Sequence, residues 1–299
     1  MTKQYAFFRG CLIPTKIPHL EAVARKILPE LGIELIDIPE FSCCPDPIQF
    51  SGVDQATWIT IAARNLCLAE EKNLDIITLC NGCVNTLAQA NSSLKSKPAL
   101  KEKINQHLSE TNHQFKGEIE VKHFVQVFFE DIGLDILKTY VKVSLNNFRI
   151  ATHTGCHLFS PQEIMKFDDP FDPTILDKMV SALGAEIADY DLKPQCCGSS
   201  LTLSGKQDGS NKLLEDKLLN MRANGADCIA VVCPFCYQQF DLCQLMVTRK
   251  LKLDFTIPVL YYIQLLGLAM GYTLEELHYS THKVKNPFFE EKFKQECSS

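Results

Sequence analysis

The chain has 299 residues, 46% hydrophobic and 22% charged, with a formal net charge of −6. That is ordinary globular composition, long enough for two domains, and an acidic balance without any Lys/Arg block excludes a nucleic-acid surface. The longest apolar run, 257–272, contains Gln264 and two glycines and falls short of the ~20 residues of a membrane span; with no secretory core near Met1, the sequence predicts a soluble, cytoplasmic protein.

In chain order, the first half reads as alternating strands and helices. Residues 5–8 form an apolar strand, 18–31 a helix ending at Gly32, and 33–38 a second strand. Asp54 caps a helix over 54–72 with Ala56, Ile59, Ala63, Leu66 and Cys67 along it. A strand at 75–79 and a helix at 84–92 follow, and the polar stretch 91–117 reads as a surface excursion. The second half repeats the plan: strand 148–153, helix 173–183, strand 186–189, helix 211–224, strand 228–232, helix 237–249. The predicted fold is α/β: two pseudo-symmetric, Rossmann-like parallel-sheet domains, 1–145 and 146–299, with cysteines at the carboxyl ends of strands.

The fourteen cysteines are the anomaly. They are too sparse for a disulfide scaffold, and in a reducing compartment such residues serve as metal ligands or redox groups. Ten of them form two sets in one order. Cys11, Cys43-Cys44 and Cys80-x2-Cys83 are matched by Cys156, Cys196-Cys197 and Cys233-x2-Cys236, with the same 35-residue gap before each C-x2-C. Gly10-Cys11 is echoed by Gly155-Cys156, and the segment beginning at Val121 by the one beginning at Val259. This is a duplication, and the first half is the longer one between its C-x2-C and the closing Gly133.

Five thiolates per half exceed the four that satisfy tetrahedral zinc, and two adjacent cysteines strain to close on one small ion. A polynuclear iron–sulfur centre takes both sulfurs more easily, with zinc or an unmetallated set as the alternatives. Cys67, Cys228 and Cys243 lie in apolar contexts and read as small buried hydrophobes; Cys297 reads as an exposed tail residue. The chain has neither a ferredoxin run of cysteines nor a Gly-rich dinucleotide fingerprint, so its electrons come from another protein.

These motifs resemble the cysteine-rich CCG domains of the B subunit of heterodisulfide reductase. The words that carry the resemblance are Tyr5-Ala-Phe-Phe-Arg-Gly-Cys11, Ser42-Cys-Cys-Pro45, Cys80-Asn-Gly-Cys83, Cys233-Pro-Phe-Cys236 and Gln264-Leu-Leu-Gly-Leu-Ala-Met-Gly271, and they span nearly the whole chain. The resemblance implies two noncubane [4Fe-4S] clusters. Cys11, Cys43, Cys44, Cys80 and Cys83 would hold one, and Cys156, Cys196, Cys197, Cys233 and Cys236 the other. It implies reduction of the coenzyme M–coenzyme B disulfide to two thiols by two one-electron transfers. The implied partners are a ferredoxin-like [4Fe-4S] subunit of the C type and a flavin-containing, electron-bifurcating subunit of the A type. Within the same superfamily the alternatives are a subunit acting on another disulfide, a lactate-, glycolate- or quinone-linked subunit, or a non-catalytic relay.

Two features depart from the family pattern: Arg9 before Gly10-Cys11, and Ser199-Ser200-Leu201 after Gly198. Arg9, Lys16 and Lys206 are candidate contacts for an anionic substrate. His157 is the candidate proton donor, while His153 reads as a packing residue at a strand end.

Overall fold

The computed structural model describes residues 2–296. It contains two four-stranded sheets in which every pairing is parallel. The first holds β1 (Lys3–Phe8), β2 (Ile33–Ile36), β3 (Ile76–Thr78) and β4 (Val121–His123), in the order β2-β1-β3-β4. The second holds β5 (Arg149–His153), β6 (Glu186–Ile187), β7 (Cys228–Val231) and β8 (Val259–Tyr261), in the order β6-β5-β7-β8. The expected α/β duplication is therefore present, down to strand order.

The central strands are apolar and buried on both faces. Residues 5–8 of β1 and all of β7 are buried, as parallel sheets require. The helix Gln55–Glu70 starts where Asp54 accepts the Thr57 N–H at 3.0 Å, and it buries Ala62, Ala63, Leu66 and Ala69. The helix Pro18–Ile27 opens on proline at its first position and runs into a 3₁₀ turn, Leu28–Leu31, closed by Gly32 in the left-handed conformation. The paired segments after Val121 and Val259 match in three dimensions. Each is a short edge strand running into a helix, and Gln126 and Gln264 accept the N–H groups of His123 and Tyr261.

Three details differ from the sequence reading. The stretch 91–117 is not merely a surface excursion, since it contains the helix Pro98–Ser109, which buries Ile104 and Leu108. The helix after β3 begins at Asn81, so Cys83 lies in its first turn instead of before it. The helix expected over 237–249 is interrupted by a π-helical turn, Gln239–Cys243.

By internal packing the chain forms two units, 1–127 with 157–167, and 128–156 with 168–299. Residues 128–145 thus pack with the second unit and 157–167 with the first, where the sequence predicts a single cut after residue 145. Among the described residues no helix is long and apolar enough to cross a membrane.

Candidate functional site: two five-cysteine clusters

In the first unit all five cysteines follow the carboxyl ends of strands. β1 feeds Cys11, which sits before the short helix Leu12–Lys16. The loop after β2 carries Cys43 and Cys44. Cys80 has extended backbone at the start of the helix Asn81–Ser96, and Cys83 lies in that helix's first turn. β1 and β3 are adjacent while β2 lies on the other side of β1, so this edge is the switch point where open α/β sheets place their sites.

The side chains meet as the spacing implies. Cys11 contacts Cys43, Cys43 contacts Cys44, Cys44 contacts Cys83, and Cys83 contacts Cys80, each through a sulfur hydrogen bond. Donation from Cys43 and Cys83 pulls Cys44 down to about 5, whereas Cys83, hydrogen-bonded to Cys44 and Cys80 and buried, is pushed up. Five sulfurs this crowded cannot all ionise without a shared positive charge. Cys44, Cys80 and Cys83 are buried and Cys11 and Cys43 are exposed, so the cluster opens on one side to solvent.

The backbone is shaped for this approach. Gly10 has φ of +67°, and a Cβ there would lie 2.7 Å from the Cys83 sulfur. Only glycine lets strand β1 end so close to the C-x2-C turn. Side chains that the sequence reading passes over pin the Cys-Cys-Pro loop. Asn65, fully buried in the helix Gln55–Glu70, accepts the Ser42 N–H at 2.9 Å and donates to the Cys43 carbonyl at 3.3 Å. Trp58 Nε1 and Thr86 Oγ1 both donate to the Pro45 carbonyl, at 3.3 and 3.0 Å.

The second unit repeats the arrangement. Cys156 contacts Cys196, Cys196 contacts Cys197, Cys197 contacts Cys236, and Cys236 contacts Cys233. Cys233 and Cys236 stand at the start and in the first turn of the helix Pro234–Gln238, as Cys80 and Cys83 do in theirs. Here Cys196 takes the thiolate role: donation from Cys156 and Cys197, aided by the Gly198 N–H at 3.3 Å, pulls it down to about 2. Cys156 and Cys196 are half-buried and the other three are buried.

Two buried basic groups flank this second set. His153, at the end of β5, is 1% exposed and packs edge-on against Phe240. Its ring nitrogen and the Cys197 and Cys236 sulfurs all lie within 4.8 Å of one another. Burial, reinforced by the charge of Lys217, pulls His153 down to about 3, so the ring is neutral. Lys217 is fully buried in the helix Gln207–Ala223 and donates to the Leu192 and Lys193 carbonyls. Burial lowers it to about 8 against the opposing pull of Cys197, Cys236, Cys196 and Cys156.

Arg9 lies 3.5 Å from the Glu21 carboxylate in a partly exposed ion pair. Lys16 and Lys206 are exposed, Lys16 ending a short helix and Lys206 preceding a long one. His157 is half-buried and packs with the first unit, where its carbonyl accepts from Asn85 Nδ2 at 3.0 Å. Cys67 and Cys228 are buried away from either set and burial pushes both thiols up, Cys67 to about 12. Cys243 is only half-buried; Cys297 lies outside the described residues.

Comparison with known proteins agrees with this geometry. The cysteine-rich domain (CCG) family matches residues 5–88 and again 150–241. The chain is 39% identical over 282 residues, 94% of both chains, to the B subunit of the Ferredoxin/F(420)H(2)-dependent CoB-CoM heterodisulfide reductase of Methanosarcina acetivorans. It is 32% identical over 278 residues, 93% of this chain and 95% of the other, to the 8-methylmenaquinol:fumarate reductase membrane anchor subunit of Wolinella succinogenes. In fold it is similar to a hypothetical protein from Helicobacter pylori, with a TM-score of 0.76 at 17% identity, over 96% of this chain but 53% of that one.

Proposed function

We propose, from the premise that this chain belongs to the cysteine-rich CCG domain family of heterodisulfide reductase B subunits, that it is the iron–sulfur catalytic subunit of a heterodisulfide reductase, reducing the coenzyme M–coenzyme B disulfide. The observation that carries this reading is the pair of five-sulfur clusters, each in the same contact order at the carboxyl edge of its own parallel sheet. Five converging, crowded sulfurs suit a polyiron centre and exceed what zinc needs. Cys11, Cys43, Cys44, Cys80 and Cys83 would hold one noncubane [4Fe-4S] cluster, and Cys156, Cys196, Cys197, Cys233 and Cys236 the other.

Bound there, such clusters supply electrons one at a time, and two electrons with two protons convert one disulfide into two thiols. The chain's own groups bind and protonate. His157, next to Cys156 and half-buried, is the proposed acid. Lys16 and Lys206, being exposed, are freer to meet a substrate anion than Arg9, which already pairs with Glu21. Electrons would reach the chain from a ferredoxin-like [4Fe-4S] subunit of the C type, fed by a flavin-containing bifurcating subunit of the A type.

A second reading, a quinol-linked subunit, is favoured by the relative from Wolinella succinogenes. The two separate on one assay: anaerobically reconstituted chain with a chemical reductant, offered the mixed coenzyme disulfide and simple symmetric disulfides. Release of both thiols from the mixed disulfide supports the first reading. No thiol from any disulfide overturns it in favour of the second.

A further inference from the structure

The two cysteine sets match in backbone but not in what lies beside them. His153 stands at the same offset before Cys156 as Phe8 does before Cys11. Lys217 likewise follows Cys197 at the offset by which Arg64 follows Cys44. Phe8 is an apolar ring packed on Phe41. Arg64 is half-buried and bonds the Glu40 carbonyl at 3.0 Å on the exposed side of its helix, where solvent screens its charge. In the second half both counterparts are buried and polar.

His153 is a buried polar group beside the second set's sulfurs. Among the described residues neither of its ring nitrogens, both buried, has a hydrogen-bond partner, yet one of them lies within 4.8 Å of both the Cys197 and Cys236 sulfurs. A neutral imidazole carries one N–H, and leaving it unpaired in a buried site is costly. Lys217 acts on the same sulfurs. Its ammonium is fixed by two carbonyls and sits 5.3 Å over the Tyr190 ring, which is itself anchored through its hydroxyl to the Thr152 carbonyl at 2.9 Å. Its charge interacts with four of the five sulfurs and with His153.

We propose that His153 and Lys217 are tuning residues that raise the reduction potential of the centre held by the second cysteine set, His153 as a buried imidazole whose unpaired N–H is available to that centre and Lys217 as a buried cation. The inference rests on the iron–sulfur reading above. Reduction adds negative charge to the centre, and both a donor to its sulfurs and a nearby desolvated cation stabilise the reduced state more than the oxidised one. The first set has Phe8 and Arg64 at these two positions and is wetter, with Cys11 and Cys43 exposed. Because solvent also favours the reduced state, the effect is read by altering the second set alone, not by ranking one set against the other.

The test is an anaerobic redox titration of the reconstituted full chain, followed by electron paramagnetic resonance, with iron content measured on each sample. Lys217→Gln keeps an N–H for the Leu192 and Lys193 carbonyls but removes the charge, and His153→Phe installs the residue of the first half. In each variant one transition is expected to move to lower potential while the other stays, with iron content unchanged. For Lys217→Gln the expected shift is about tenfold in the one-electron equilibrium, or ~59 mV. Lys217→Arg, which keeps the charge, and His153→Gln, which keeps a donor, stay near wild type. Should Lys217→Gln fail to fold, His153→Phe with His153→Gln carries the test. Full iron with neither transition moved, an upward shift, or equal shifts of both would overturn the proposal. Wild-type chain without iron would instead overturn the iron–sulfur reading on which it rests.

Discussion

Gly10→Ala is the sharpest single-atom perturbation of the first cysteine set. The residue has φ of +67°, a backbone region that costs an L-residue about 1–2 kcal/mol. The new methyl would stand 2.7 Å from the Cys83 sulfur, against the ~3.5–4 Å of an ordinary contact, so strand end and sulfur must part by about 1 Å. Cys83 cannot swing aside freely, since it is 3% exposed and its sulfur is held between Cys44 and Cys80. Overpacking of this kind costs about 1–3 kcal/mol. With the backbone term, assembly of the first set should weaken roughly 30-fold or more, at about 1.4 kcal/mol per tenfold. The assay is iron and acid-labile sulfide per chain after matched anaerobic reconstitution, beside Gly52→Ala, where an added Cβ meets nothing within 4 Å. The expected result is loss of about half the iron in Gly10→Ala and none in Gly52→Ala. Full iron in Gly10→Ala, or equal loss in both, would refute the reasoning.

Three further outcomes follow from the same contacts. Asn65→Ala removes the acceptor of the Ser42 N–H, costing about 1 kcal/mol; iron in the first set should fall on dilution against a chelator while the second set holds. Glu70, 2% exposed, accepts the N–H groups of Lys116, Gly117 and Glu118 at 2.6–2.9 Å, so Glu70→Ala should lower stability to denaturant by about 2–4 kcal/mol with little change in iron after reconstitution. Cys228→Ala removes a buried thiol that belongs to neither set and should leave iron and sulfide per chain unchanged, whereas a loss of iron would make it a ligand.

Much of this molecule is legible in the sequence because duplication doubles every weak signal. A single C-x2-C is ambiguous, but two, each at the same spacing after a Cys-Cys pair and each behind an apolar strand, fix the sheet edge on which the sulfurs gather. The helix Pro98–Ser109 escaped because it is polar around most of its surface and buries only Ile104 and Leu108, too thin a stripe to stand out among Lys, Ser and Asn. Asn65 and Lys217 escaped for a different reason. Each sits on the buried face of an ordinary amphipathic helix, and its purpose lies in the carbonyls of a loop distant in sequence. A polar residue in an apolar stripe was the available signal, and it does not name its partner. His153 was readable as buried, but not as facing sulfur, since that depends on Cys197 and Cys236 arriving from two other strands.

The most direct test of two polyiron centres, one per cysteine set, is metal and sulfide content of the anaerobically purified chain beside Cys80→Ser/Cys83→Ser and Cys233→Ser/Cys236→Ser. About eight irons with matching sulfide in wild type, and about half of each in either double variant, is the expected result. Zinc without sulfide, or a wild-type chain empty of iron after reconstitution, would contradict it.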